Sequence, residues 1–249
     1  MSAKFDFTGK KALVTGASRG IGNAIAIALS KAGANVVALA RDRTKLEELR
    51  SQHANIFIIV GDVTSSESAL STLLAPYQPF DILVNNAGTG TLEASHSLSE
   101  QAVTRQLDTN LKAPIIITKI VASEMIRSSI RGAIVNISSQ ASMRPLDDHT
   151  AYCKRASKAG LDMATRCFAK EFGRCGIRVN NVNPTVVMTD LARPTWSDPN
   201  RADPLLSQMP LGRFAEMDEV VNAVLFLLSD LSSMTTGLAF PVDGGFSLA

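Results

Sequence analysis

The sequence has no run of about 18 apolar residues, so it offers no helix that would cross a membrane. Cysteine is scarce. The three present, Cys153, Cys167 and Cys175, are odd in number and lack metal-ligand spacing, which points to reduced thiols and to no bound metal. An excess of one charge is also missing. With 25 Lys and Arg against 23 Asp and Glu the formal net charge is +2, and without a basic stripe this argues against a nucleic-acid partner. The opening MSAKFDFTGKKALVTG lacks the charged-then-apolar pattern of a secretory leader, so a cytoplasmic location is the expectation. Nor is there a linker: the longest stretch rich in Pro, Asp and Ser, RPTWSDPNRADP, lies between apolar segments and reads as a loop or lid. The chain is therefore read as one domain, 1–249, with a small substrate lid near 189–212.

What is present is an alternation of short apolar runs with longer helical patterns. The runs KALVT, NVVALA, IFIIV, DILVNN, AIVNIS, IRVNNVN and LAFPV read as seven strands. Helices are expected near Ile21 to Lys31, Thr44 to Ser51, Ser66 to Ala75, Glu100 to Arg127, Tyr152 to Phe172 and Glu216 to Ser229. Thr44-x-x-Glu47 and Thr64-x-x-Glu67 both fit a capping box. Most runs are continuously apolar, so the strands are expected to be buried on both faces. That makes an α/β fold: a doubly wound, mostly parallel seven-stranded sheet of Rossmann type with helices on each side.

TGASRGIG, Thr15 to Gly22, closes the first strand and opens the first helix. Gly16 permits a tight turn, Gly20 and Gly22 permit close approach of a phosphate and of helix on strand, and the helix N-terminus offers free N–H groups to an anion. Taken alone, the motif also fits a glycine-rich turn without a ligand. The second strand supplies context. An acid at its end would hold ribose hydroxyls, but NVVALA ends in Ala40 and Arg41 follows. With Arg19, two guanidinium groups suit a 2′-phosphate, which favours NADPH; a solvated surface charge is the other reading of Arg41. Asp62 in GDVTS either meets an adenine amine or forms the turn before a Thr64 cap.

TGASRGIG, Asp62-Val63, NNAG at Asn85 to Gly88, Asn110, IVNISS ending at Ser139, Tyr152, and NPTVVMT at Asn183 to Thr189 together resemble the short-chain dehydrogenase/reductase family over nearly the whole chain. Within it, the strings NPTVVMT, TWSDP, PLGRFAE, VVNAVLFLLSD and the tail GGF are similar to the L-xylulose or dicarbonyl reductase group. The resemblance implies a cytoplasmic homotetramer that uses NADPH to reduce L-xylulose to xylitol and diacetyl-type α-dicarbonyls. It implies cofactor contacts from Gly16, Ser18, Arg19, Gly20, Ile21 and Gly22 in the glycine loop, and from Arg41, Asp62 and Val63 beyond the next two strands. Asn86, Ala87 and Gly88, then Tyr152 and Lys158, then Pro184, Val187 and Thr189 complete that set.

For catalysis the resemblance implies that Ser139 bonds the substrate carbonyl, Tyr152 donates the proton, Lys158 holds the nicotinamide ribose and Asn110 anchors a relay water. A phenol with a pKa near 10 is a sluggish acid at neutral pH, and a nearby ammonium brings it closer to the working range. Gln140, His149 and Trp196 match substrate-lining positions; His149 also fits a capping residue, and Trp196 fits subunit packing. Ser138 reads as structural. Asn110 has a reading of its own, because Pro114 offers no N–H to its carbonyl, which leaves either a water site or a plain kink. The tetramer is expected to use the helices near Glu100 to Arg127 and Tyr152 to Phe172, and the tail PVDGGFSLA with Phe246 and Leu248. Two other functions stay open, a catalytically impaired NADPH-binding scaffold and a relative acting on a steroid or acyl thioester.

The scaffold reading comes from AYCKRASKAG. Ser139 and Tyr152 keep the family's spacing, but Lys158 stands six residues after Tyr152 instead of four, and excising Lys154 and Arg155 would restore YCASK. At about 100° per residue, Lys158 lies about 120° round an unbroken helix from Tyr152 and about 9 Å along it, with Arg155 the nearest cation. Either the helix is continuous and the pair is separated, or Cys153 to Arg155 bulge out as a wide loop. The second is the expectation: Tyr152 and Lys158 paired, with Lys154 and Arg155 displaced outward into solvent.

Overall fold

The computed structural model describes residues 5–90, 95–145, 152–189 and 192–248, with Ser95, Tyr152 and Cys153 as backbone only. Its first half runs β1 (Lys11–Thr15), α1 (Gly20–Lys31), β2 (Asn35–Ala40), α2 (Arg43–Gln52), β3 (Ile56–Val60), α3 (Glu67–Leu74) and β4 (Ile82–Asn85). Then come α4 (Glu100–Leu107), a π-helical turn (Asp108–Lys112), α5 (Ala113–Arg127), β5 (Ala133–Ile137), α6 (Tyr152–Phe172) and β6 (Arg178–Pro184). The last elements are α7 (Arg193–Trp196), α8 (Pro199–Leu206), α9 (Met217–Leu228) and β7 (Ala239–Val242).

The strands form one parallel sheet in the order β3-β2-β1-β4-β5-β6-β7. Side chains alternate between its faces. Ala12 and Val14 of β1 pack with Ile25 and Leu29 of α1 and Val224 and Leu228 of α9, while Leu13 packs with Ile117 and Val121 of α5 and Leu70 and Leu74 of α3. Burial on both faces is why the runs read as continuous apolar stretches. The strand order reverses between β1 and β4, which opens a crevice at their carboxyl ends. A third cluster gathers Ala202, Leu205, Met209, Phe214 and Phe246 around α8. Phe246, expected at a subunit contact, is instead fully buried in its own chain, with the Arg144 guanidinium 4.8 Å from its ring centre.

Three local expectations change. Asp42 caps α2, accepting from the Lys45 N–H at 3.1 Å, in place of the Thr44 box. Ser66 caps α3, because the Thr64 hydroxyl is already donated to Asp62 Oδ1 at 2.8 Å and the Thr64 N–H to the same oxygen at 2.9 Å. The long helix expected over Glu100 to Arg127 is α4 and α5 joined by the π-helical turn. Pro114 cannot donate to Asn110, and the wider turn, with the Ala113 N–H on the Asp108 carbonyl, absorbs the loss.

A buried chain of polar side chains crosses the sheet. Asn85 Nδ2 donates to Thr118 Oγ1 (3.0 Å) and Asn136 Oδ1 (2.8 Å), Asn136 Nδ2 to Thr165 Oγ1 (2.8 Å), and Thr165 Oγ1 to Asn181 Oδ1 (2.5 Å). Asn181 Nδ2 then donates to Asp162 Oδ1 (2.7 Å), while Asp162 Oδ2 accepts from Ser142 Oγ (2.6 Å) and Asn183 Nδ2 (3.0 Å). Asn136 is fully buried in the middle. Asn136→Ala leaves buried polar groups unpaired on both sides and is expected to cost about 1–3 kcal/mol. Urea unfolding of wild type and variant measures this, and a loss inside about 0.5 kcal/mol would show the chain to be energetically idle.

Candidate active site

The crevice opens into a cleft of about 2080 Å³ that runs from the glycine loop to α7. Its first wall is built without side chains. Gly16 has φ +67°, and a Cβ there would lie 2.9 Å from the Ala87 Cα; at Gly22 a Cβ would lie 2.2 Å from Asn86 Nδ2. Asn86 explains the crowding, since its Nδ2 donates to the carbonyls of Thr15 (3.0 Å) and Gly16 (3.2 Å). Thr15 Oγ1 in turn accepts from the N–H groups of Asn86 (3.0 Å) and Ala87 (3.1 Å). Asn86 therefore lines the cleft while its amide fastens β4 to the glycine loop.

At the outer end Arg19, Arg41, Asp62 and Val63 line the cleft, and Lys45 joins them. Arg41 lies 3.6 Å from Asp62. Burial raises the Asp62 pKa, but the Thr64 bonds and Arg41 outweigh it and hold the carboxyl below its ordinary value. The turn reading of Asp62 is thus realised, and its carboxylate still faces the cleft. Lys45 was not legible as a site residue because nothing in RDRTKLEE distinguishes it from a solvated helix surface.

At the inner end stand Asn110, Ser139, Gln140 and Lys158. Lys158 Nζ donates to the Ile137 carbonyl at 2.6 Å. Burial pushes its pKa from an ordinary 10.5 down to about 7; Lys154 adds to the fall and Asp162 opposes it. Asn110 clasps Thr89, its Oδ1 accepting from the Thr89 N–H (2.8 Å) and its Nδ2 donating to the Thr89 carbonyl (2.9 Å) and to Ser157 Oγ (3.2 Å). Ser139 Oγ accepts from the Ala141 N–H at 3.2 Å, which leaves its own proton to be donated into the cleft. Ser138 Oγ donates to the Lys158 carbonyl at 3.3 Å, a structural bond as expected.

α6 departs from the expectation. It is continuous from Tyr152 to Phe172, and Lys154 and Arg155, expected to bulge out into solvent, lie within it and line the cleft. Lys154 is accessible because it faces the open cleft, yet protein surrounds it elsewhere; burial lowers its pKa and Arg155 adds to the effect. Burial also lowers the Arg155 pKa, and its Nε and Nη2 have no partner among the described residues. Tyr152 begins the helix six residues before Lys158.

Pro184 ends β6, and Val187 and Thr189 line the cleft beyond it. Between them Thr185, buried and with Oγ1 unpartnered among the described residues, is a lining group the sequence reading passed over, although it lies inside NPTVVMT. The Gln140 side chain is buried with Oε1 likewise unpartnered. Trp196 reaches the cleft and meets Phe214 edge to face, ring centres 5.5 Å apart, so its described packing is within its own chain. His149 lies outside the described residues.

Known proteins resemble the chain along nearly its whole length. A family model described as enoyl-(acyl carrier protein) reductase matches residues 16–247. An L-xylulose reductase of Caenorhabditis elegans is 54% identical over 99% of each chain, and a D-erythrulose reductase of Gallus gallus is 47% identical, also over 99% of each. The solved structure of a putative NAD(P)-dependent gluconate 5-dehydrogenase from Beutenbergia cavernae, with bound NADP at low occupancy, superposes with a TM-score of 0.89 at 30% identity, covering 99% of this chain and all of the other.

The Lys158 ammonium makes a pH prediction for the ligand-free protein. Between about 7 and 10.5 the unfolded chain binds a proton that the folded chain has released, so through this group stability rises with pH across that window. Lys158→Met is expected to flatten this rise, leaving the part that the lowered pKa of Lys154 contributes. Urea unfolding at a series of pH values tests it, and an unchanged slope would assign the effect elsewhere.

Proposed function

Because the chain belongs to the short-chain dehydrogenase/reductase family, we propose that it is an NADPH-dependent carbonyl reductase that converts small ketoses and α-dicarbonyls to alcohols, L-xylulose to xylitol among them. The observation that carries this is the cleft itself, where a side-chain-free cradle leads directly to Ser139 and Lys158.

The residues present fit a phosphorylated dinucleotide. A Cβ at Gly16 or Gly22 would fill the cradle, Ala40 places no carboxylate at the ribose position, and Arg19, Arg41 and Lys45 ring the outer end. When bound, NADPH supplies the hydride. Ser18, Gly20 and Ile21 would offer amides at the start of α1 to its pyrophosphate, and Arg41, 3.6 Å from Asp62, would hold the 2′-phosphate. Val63, Ala87 and Gly88 would border the adenosine and ribose, and Thr185, Val187 and Thr189, beyond the Pro184 end of β6, would border the nicotinamide. Ser139 donates to the substrate carbonyl, and Gln140 Oε1 is free to accept from a neighbouring hydroxyl. Lys158 would hold the ribose, and Asn110 keeps the Thr89 backbone and Ser157 in place behind it.

α7 and α8 serve as the lid of a single domain, with Trp196 over the substrate and Phe214 behind it. A cytoplasmic homotetramer is part of the same reading. It is supported by apolar side chains left exposed on the faces expected to associate, Leu107 on α4, Met163 on α6 and Leu248 in the tail. The unbroken α6 favours one competing reading, a chain that binds NADPH without turnover.

NADPH oxidation with L-xylulose and diacetyl separates the two, since the scaffold reading requires a change in NADPH fluorescence with no oxidation by either. Arg41→Ala is expected to weaken NADPH about tenfold to a hundredfold and to leave NADH nearly unchanged, as for a loss of about 1.5–3 kcal/mol from one charged hydrogen bond. An unaltered ratio of the two dissociation constants would remove Arg41 from the site. Light scattering is expected to give four times the chain mass, and a 26.5 kDa species would rule out the tetramer.

A further inference from the structure

The first turns of α6 line the cleft with Lys154, Arg155 and Lys158, and Arg105 adds a further cation from α4. In a continuous helix Lys154 lies about 40° to one side of Lys158 and Arg155 about 60° to the other. Arg155 also precedes Asp162 by two turns, only about 20° round, so the two share a stripe. That stripe faces the turn that carries Ser139, because the Asp162 carboxylate accepts from Ser142 Oγ at 2.6 Å. Ser139, Gln140 and Ala141 of this turn line the cleft together with Arg155. The guanidinium is thus placed on the side where the substrate carbonyl would lie.

Arg155 has donors and no acceptor. Its Nε and Nη2 are buried without a partner among the described residues, a costly state for a charged group. No carboxylate of the chain relieves it. Asp162 is committed, its Oδ1 accepting from Asn181 at 2.7 Å and its Oδ2 from Ser142 and Asn183, and Asp108 pairs with Lys112 at 3.3 Å. Glu100 lines the cleft from the start of α4, yet no ion pair among the described residues includes Lys154, Arg155 or Lys158. The crowding of like charge is felt: burial and then Arg155 lower the Lys154 pKa, and burial and then Lys154 lower that of Lys158. A pyrophosphate at the start of α1 and a 2′-phosphate at Arg41 would leave these cations without an anion.

Resting on the carbonyl reductase reading, we infer that the inner end of the cleft carries an anion subsite, with Arg155 holding the carboxylate of an oxo-acid substrate. The open groups are the matching ones. Nε–H and one Nη2–H lie parallel along a single edge of the guanidinium, the fork that meets both oxygens of a carboxylate. Lys154, accessible in the cleft, adds attraction without that geometry. The carbonyl of the oxo acid gains a hydride at carbon and a proton at oxygen while the carboxylate is untouched, so the product is the hydroxy acid. A neutral ketone of the same length would enter the same cleft and leave the fork empty.

Two matched pairs of methyl ketones test the subsite: pyruvate against hydroxyacetone, and 4-oxopentanoate against 5-hydroxy-2-pentanone. Within each pair a carboxylate replaces a CH2OH group. For at least one pair the wild type is expected to show a kcat/KM about tenfold or more higher for the acid, as for one charge-assisted pair. Arg155→Met is expected to abolish that preference, chiefly through KM, and Arg155→Lys, which keeps the charge without the fork, to recover part of it. A second measurement needs neither turnover nor cofactor. In saturation-transfer NMR titrations of the ligand-free protein, at least one acid is expected to bind more tightly than its neutral partner in wild type and to lose that advantage in Arg155→Met. Equal kcat/KM within both pairs, or a preference for the acid that survives Arg155→Met, would overturn the subsite while the reductase reading stands. A tenfold loss of NADPH affinity in Arg155→Met would assign the residue to the cofactor phosphates and overturn it as well. A wild type that oxidises NADPH with no carbonyl, acidic or neutral, fails the reductase reading and the oxo-acid substrate with it; Arg155-dependent binding of an acid to the ligand-free protein would then still support the anion subsite, and its absence would overturn that too.

Discussion

An ammonium held almost without water is the constraint on which this site depends. Lys158 is 6% exposed, and stripping its hydration would be costly without compensation. The compensation comes from two directions: the Ile137 carbonyl accepts from Nζ, and Asp162 supplies an opposite charge one turn further along α6. Even so the balance falls short, and the amine releases its proton near neutral pH. Lys154, one turn earlier on the same helix face, adds a like charge that lowers its pKa further.

Asp162 has a second task that makes the first reliable. Its carboxylate ends the polar chain that starts at Asn85 and crosses β4, β5 and β6, and it also holds Ser142 and Asn183. Asn183 reaches the Ser139 carbonyl at 3.2 Å. One carboxylate thus fixes α6 relative to the sheet, positions the turn that carries Ser139, and biases the charge of Lys158. The members of such a chain satisfy one another in a dry interior, so each is costly to remove and none can rotate freely. This rigidity lets a cleft lined partly by bare backbone keep its shape.

The sheet and the cradle were legible in the sequence because they follow from local rules: continuous apolar runs for strands buried on both faces, and glycines where a Cβ would strike Asn86 or Ala87. Arg19, Arg41 and Ser139 were legible because each comes soon after a strand at the crevice, whereas Lys158, inside α6, was reached only through the family resemblance. The helix caps were misplaced because two side chains competed for each end, and a carboxylate at Asp42 and a free hydroxyl at Ser66 prevailed over threonines. Thr185 and Lys45 gave no signal, since burial without a partner and a place among cations are properties that only the folded chain has. Phe246 looked like an interface residue until the cluster around α8 supplied its partners.

The inserted pair was misjudged for a reason that can be stated energetically. Two extra residues turn everything before them by about 200° relative to the later turns, nearly to the opposite face of the helix. Which part keeps its place is decided by burial. Ser157, Lys158, Leu161, Thr165, Ala169 and Phe172 are all buried, a stripe at helical spacing that locks the later turns against the sheet. Lys154 and Ala156 are exposed and Arg155 only half-buried, so the first turn has little packing with which to resist rotation. Extruding Cys153 to Arg155 would keep Tyr152 in line but would strip helical partners from several backbone groups, at roughly 0.5–1.5 kcal/mol each. No burial of Lys154 or Arg155 would be gained in return. The continuous helix is therefore the cheaper arrangement, and a tyrosine's usefulness in catalysis exerts no force on that choice. The register fixed by Leu161 and Thr165 determines that a lysine, and not the phenol, stands one turn before Lys158.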